Sequence, residues 1–157
     1  MHQVLLLYTS MTGNTEIMAE SIAEEIQKNP SISLTIADIS VAPHYDITKF
    51  NGLIIGSYTY WDGEIPDEFL DLYENIEDLQ LSGKMVGLFG SGDRYYDKFC
   101  GALDLFERKL NRAGVTLPIP PLKVDLTPGE EEKEKCVQFA ADFLKALLKQ
   151  NLESVSA

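Results

Sequence analysis

Apolar runs alternate with amphipathic stretches from one end of the chain to the other. Val4 to Tyr8, Leu53-Ile54-Ile55-Gly56-Ser57 and Met85 to Phe89 are short, nearly continuous apolar runs. Runs of this length fit strands buried on both faces. Ser33 to Ile39 alternates polar and apolar residues and reads as an edge-like strand. Val115 to Val124 supplies a fifth strand, interrupted by Pro118, Pro120 and Pro121. Between these runs the period changes. Ile17, Ala19, Ile22, Ala23 and Ile26 recur at helical spacing until Asn29-Pro30. Pro66 suits the first position of a helix carrying Phe69, Leu70, Leu72, Tyr73 and Ile76. Phe99, Leu103, Phe106 and Leu110 mark another helix, stopped by Gly114. Thr127-Pro128 opens the last, with Val137, Ala140, Ala141, Leu144, Leu147 and Leu148 on its buried face.

Five strands with helices between them predict a doubly wound α/β sandwich with helices on both faces of a parallel sheet. One domain over residues 1–150 is expected, and 151–157 reads as a frayed tail. Ligands on such sheets sit at the carboxyl ends of the strands, where the winding reverses. The loops after the first, third and fourth strands meet there, and those three carry unusual residues.

The first loop is Thr9-Ser10-Met11-Thr12-Gly13-Asn14-Thr15, between a buried strand and a helix. Free N–H groups at a helix N-terminus attract an anion. Ser10, Thr12 and Thr15 add hydroxyls, Asn14 an amide, and Gly13 lets the backbone come close. With no Lys or Arg, the segment reads either as a phosphate cradle of neutral donors or as a capped helix start. A Walker loop does not fit, because Gly13 is followed by Asn-Thr-Glu, and a dinucleotide fingerprint begun by Gly90-Ser91-Gly92 fails at Tyr95.

The second loop, Tyr58-Thr59-Tyr60-Trp61-Asp62-Gly63-Glu64-Ile65-Pro66, is dense in aromatics. Such rings pack on neighbouring helices or cover a flat ligand. The third runs Ser91-Gly92-Asp93-Arg94-Tyr95-Tyr96-Asp97-Lys98-Phe99-Cys100-Gly101-Ala102. Here Cys100 reads as a small core residue rather than a nucleophile.

Composition narrows the partners. A net charge of −12 over 157 residues argues against nucleic acid or an anionic membrane and favours partners with basic faces. Cys100 and Cys136, with His2 and His44, show no metal or disulfide spacing. No signal peptide or membrane-spanning run is visible, so the cytoplasm is the default compartment.

Ser10-x-Thr12-Gly13-Asn14-Thr15 after a first strand resembles the FMN-phosphate loop of flavodoxins. The two other loops match the same family in order, from about residue 3 to about residue 150. The resemblance implies strand order 2-1-3-4-5 and the short-chain bacterial type, with no extra loop inside the fifth strand. It also implies non-covalent FMN, held by Ser10, Met11, Thr12, Gly13, Asn14, Thr15, Tyr58, Thr59, Tyr60, Trp61, Asp62, Gly63, Ser91, Gly92, Asp93, Tyr96 and Asp97. In particular, Tyr60 aligns with the ring stacked on the inner flavin face and Thr59 with a residue near the ribityl and phosphate. Tyr96 aligns with the outer stacking tyrosine, and Asp93 with the residue whose backbone meets the pyrimidine edge. Trp61 departs from the pattern: most members place a small residue there, and a second register makes Trp61 the stacking ring. The function implied is a one-electron carrier working between semiquinone and hydroquinone, not an enzyme. It would be monomeric, with a reductase or a 2-oxoacid oxidoreductase as donor. Asp62, Glu64, Asp67, Glu68, Asp71, Glu74, Glu77 and Asp78 would oppose the anionic hydroquinone and lower its potential. The alternatives are an FMN-dependent reductase, an activator of a radical enzyme on the same fold, and a flavin-free interaction domain.

Overall fold

The structure is a computed structural model, and it describes residues 1–41, 45–115 and 117–156. His44 lies outside the described residues. The chain folds as β1 (His2–Thr9), α1 (Asn14–Gln27), β2 (Ile32–Asp38), β3 (Gly52–Ser57), α2 (Asp67–Asn75), β4 (Met85–Gly92), α3 (Gly101–Arg112), β5 (Leu122–Asp125) and α4 (Glu130–Ser156). Single 3-10 turns at Ile47–Lys49 and Ile76–Asp78 complete it. All strand pairs are parallel and the order is β2-β1-β3-β4-β5, as the resemblance implied.

Every residue of β3 is buried, which explains its unbroken apolar run. Alternation along β1 divides the core into two layers. Leu5 and Leu7 join Phe69, Phe106 and Leu110 beneath α2 and α3. Val4 and Leu6 join Ile22, Ile26, Phe139, Phe143 and Leu147 beneath α1 and α4. Burying each such Leu, Ile or Phe contributes about 1.5–3 kcal/mol, so both helical layers clamp the central strands. At the carboxyl end β3 and β4 lie unusually close. A Cβ on Gly90 would fall 2.1 Å from the Ser57 carbonyl oxygen, so no side chain is tolerated there.

Three expectations are corrected. The fifth strand is only Leu122–Asp125; Pro118, Pro120 and Pro121 precede it, because proline offers no N–H to a ladder. Val115 still packs in the core. β4 runs on to Gly92, so Ser91 and Gly92 are strand residues rather than loop. The expected frayed tail is helical through Ser156, where the Asn151 side-chain amide bonds the His2 ring at 2.9 Å.

Candidate functional site

The carboxyl ends of β1, β3, β4 and β5 surround a cleft of about 300 Å³, at the small end of the range for ligand pockets. Met11, Thr12, Asn14, Tyr58, Thr59, Trp61, Ser91, Gly92, Asp93 and Tyr96 line it, all of them expected from sequence. Lys98, Cys100 and Leu126 line it too and were not assigned to it. Lys98 and Cys100 stand inside the third loop's run, but nothing in the run tells which side chains turn inward. Leu126 lies beyond any loop singled out, since the end of β5 was legible only loosely.

At the first loop, Gly13 has φ +93, a left-handed conformation that suits glycine. Ser10 Oγ accepts the N–H groups of Gly13 at 3.1 Å and Glu16 at 3.3 Å. It therefore shapes the loop rather than lining the cleft, while the N–H groups of Asn14 and Thr15 have no acceptor among the described residues. Thr15 is fully buried, with its Oγ1 2.7 Å from Ser91 Oγ. Its hydroxyl is tied to β4 and does not line the cleft, which corrects its placement as a free donor there.

The second loop closes as a tight hairpin. Tyr60 and Glu64 exchange both backbone hydrogen bonds, at 2.9 and 2.8 Å. Trp61-Asp62-Gly63 span the turn, with Trp61 at φ +48 and Gly63 at φ +97. The rings of Tyr60 and Trp61 are 5.7 Å apart and steeply inclined at 80°, so only one can lie parallel to a flat ligand. Trp61 lines the cleft and Tyr60 does not, contrary to the first register. Asp62 also stays out of the cleft: its Oδ1 accepts the Lys98 N–H at 3.2 Å. Gly63 is buried against the neighbouring loop; a Cβ on Gly101 would fall 2.6 Å from Gly63 Cα. Thr59 Oγ1 accepts the Ala102 N–H at the start of α3, at 3.3 Å. The Tyr58 hydroxyl donates to Glu68 Oε2 at 3.2 Å; burial, then the Glu68 charge, pushes its pKa up to about 12.

In the third loop, Asp93 Oδ1 accepts the Tyr95 N–H at 2.9 Å and its carbonyl accepts the Tyr96 N–H at 3.1 Å. Asp125 Oδ1 accepts the Arg94 N–H at 3.0 Å. Tyr96 meets Tyr95 edge-on, and Asp97 is exposed outside the cleft. Cys100 caps α3 at φ +51 and is buried, and burial pushes its thiol up to about 12. Such a thiol is no nucleophile near neutrality.

The flavodoxin family model matches residues 6–139. The chain belongs to the flavodoxin family. It is 38% identical over 151 residues to a protein named probable flavodoxin 2 of Bacillus subtilis, covering 92% of this chain and 96% of that one. It is 38% identical over 148 residues to the flavodoxin of Maridesulfovibrio salexigens, covering 90% and 96%. The oxidised flavodoxin 1 of Bacillus cereus superposes with a TM-score of 0.86 at 40% identity, covering 91% and 97%. Flavodoxins are FMN-binding electron carriers, not enzymes, and the cofactor here is FMN. β5 passes through Leu126 into α4 with no insertion, the short-chain form. The cleft fits that cofactor chemically. Its donors at the α1 end are neutral, suiting a phosphate approached by backbone N–H groups, and aromatic residues line the other end. Among the described residues, no helix is long and apolar enough to cross a membrane.

Proposed function

We propose that this flavodoxin is a low-potential one-electron carrier between redox proteins that present basic faces. FMN supplies the redox chemistry, and the chain supplies binding, orientation and field. The single observation behind this reading is the rim of the cleft. Met11, Trp61 and Tyr96 are exposed there, and Asp62, Glu64 and Asp67 stand exposed on the adjoining segment. An apolar mouth beside acids suits brief docking by a basic partner. On this reading the N–H groups of Asn14 and Thr15, with Thr12, hold the phosphate. Trp61 and Tyr96 flank the ring system, and Thr59 and Asp93 order the loops that carry them. The remaining first-loop residues shape the cradle: Ser10 through its two accepted bonds, Gly13 through its left-handed backbone. A reductase or a 2-oxoacid oxidoreductase is the donor class, the chain acts as a monomer, and the compartment is the cytoplasm.

The test is stopped-flow reduction of the FMN-loaded protein. NAD(P)H alone is expected to reduce it slowly, and a reductase with a basic docking face rapidly, with a rate that falls steeply as ionic strength rises. Rapid reduction by NAD(P)H without a partner would favour the reductase reading instead. A salt-independent partner rate, unchanged when Glu64 and Asp67 are neutralised, would defeat the docking model.

A further inference from the structure

The chain carries −12, and the acidic run from Asp62 to Asp78 makes the neighbourhood of the cleft look uniformly negative in sequence. The lining of the cleft is different. Asp93 and Lys98 are the charged residues among its described lining. The Asp93 carboxylate is engaged with its own loop, at the Tyr95 N–H. Lys98 has no ion-pair partner among the described residues. Its position is nevertheless defined at two points. Its N–H donates to Asp62 Oδ1, and its aliphatic stem lies over Gly63, where an added Cβ would fall 2.8 Å from Lys98 Cδ and 2.9 Å from Cβ. A long side chain whose stem packs on apolar surface keeps its charged head free. The stem therefore lies on the Trp61–Gly63 side of the cleft, and the side chain is part of the cleft's lining.

Resting on the reading of this cleft as the FMN site, we propose that Lys98 is a charge-selecting residue: its ammonium favours the fully reduced, anionic flavin over the less reduced forms. In the second one-electron step an electron enters from the donor and no proton follows, so the cleft gains one negative charge. An ammonium in the cleft lining stabilises that added charge and partly offsets the acidic run. Lys98 is exposed, so water screens it and the effect is modest. Removing the charge is expected to weaken binding of fully reduced FMN three- to tenfold, with oxidised FMN affected less than twofold. A tenfold ratio between two redox states corresponds to about 59 mV for one electron, so the second potential falls by up to that amount.

The experiment is a dithionite titration of FMN-loaded wild type, Lys98→Met and Lys98→Arg, with FMN and riboflavin affinities measured alongside. Lys98→Met keeps the stem over Gly63, Lys98→Arg keeps the charge, and Lys145→Gln on exposed α4 controls for net charge. Support is a more negative second potential in Lys98→Met, restored in Lys98→Arg, absent in Lys145→Gln and shrinking as salt rises. The proposal is overturned if the second potential does not move, if all redox states lose affinity equally, or if the shift is the same in Lys145→Gln. It is equally overturned if FMN loses affinity while riboflavin does not, which would put Lys98 on the phosphate. A wild-type protein that binds no FMN would instead overturn the reading of the cleft itself.

Discussion

The two ends of the cleft are built on opposite principles. At the α1 end the backbone is relaxed: its one left-handed residue is Gly13, and the groups on offer are N–H donors and neutral side chains. At the aromatic end three non-glycine residues, Trp61, Cys100 and Leu126, have positive φ of 48°, 51° and 57°, and all three line the cleft. Left-handed backbone costs a residue with a Cβ about 1–2 kcal/mol. Such strain persists only where surrounding packing imposes it. Here the packing is visible: Gly101 against Gly63, the Lys98 stem over Gly63, and the Leu126 N–H donating to the Gly92 carbonyl at 2.8 Å. The α1 end therefore leaves hydrogen-bond donors unused, and the aromatic end forces three loops into fixed contact.

The contrast is broken most sharply at the α1 end. Thr12→Val removes a hydroxyl donor to a charged group, a bond of about 1.5–3 kcal/mol. FMN affinity is expected to fall roughly 10- to 100-fold while riboflavin affinity stays within about twofold; equal losses in paired fluorescence titrations would place the phosphate elsewhere. At the aromatic end Gly101→Ala pushes α3 away from the Trp61–Gly63 turn, and overpacking of this kind costs about 1–3 kcal/mol. Urea unfolding should show that loss, with FMN and riboflavin weakened alike.

A smaller effect separates the two stacking candidates. Removing a stacking ring costs about 0.5–1.5 kcal/mol beyond its buried area. Tyr96→Ala is expected to weaken both flavins by at least that amount, since the buried area of the ring is lost as well. The inner ring is found by comparing Tyr60→Ala with Trp61→Ala: the larger affinity loss is expected from Trp61, and a larger loss from Tyr60 would restore the first register. Trp61→Gly is the complementary change. Trp61 is left-handed despite its bulky side chain, which strains its backbone. With φ already +48, the cost is present before any electron arrives. Chemical denaturation of Trp61→Gly without flavin should show a gain of less than about 1 kcal/mol, since glycine also gains freedom in the unfolded chain.

The smallest effect is alkaline. The Cys100 and Cys136 thiols are pushed by burial to about 12 and about 11, from an ordinary value of 9.0. A raised thiol pKa means the folded state holds the proton longer than the unfolded chain does. Their contribution is whole below pH 9.0 and is lost as pH rises toward 11 and 12. Unfolding midpoints should fall over that window, less steeply in Cys100→Ala/Cys136→Ala; identical slopes would show that other groups titrate instead.

The buried strands, the amphipathic helices and the parallel α/β class were legible along the chain, because each rests on a local pattern, whereas the strand order came from the resemblance. Hydrophobic period sets strand or helix, and Ser10-x-Thr12-Gly13-Asn14-Thr15 needs only its own strand and helix to form a nest of donors. What remained illegible depends on neighbours distant in sequence. The Thr15 hydroxyl on α1 pairs with Ser91 of β4, 2.7 Å away and 76 positions along the chain. Trp61 rather than Tyr60 reaches the cleft because a five-residue hairpin held by Tyr60 and Glu64 turns it left-handed against α3. Lys98 enters an otherwise acidic surround because Asp62 and Gly63 fix its backbone and stem. The period of a sequence records which face of an element is buried, but the side chains that converge at one point are decided only when separate loops pack together.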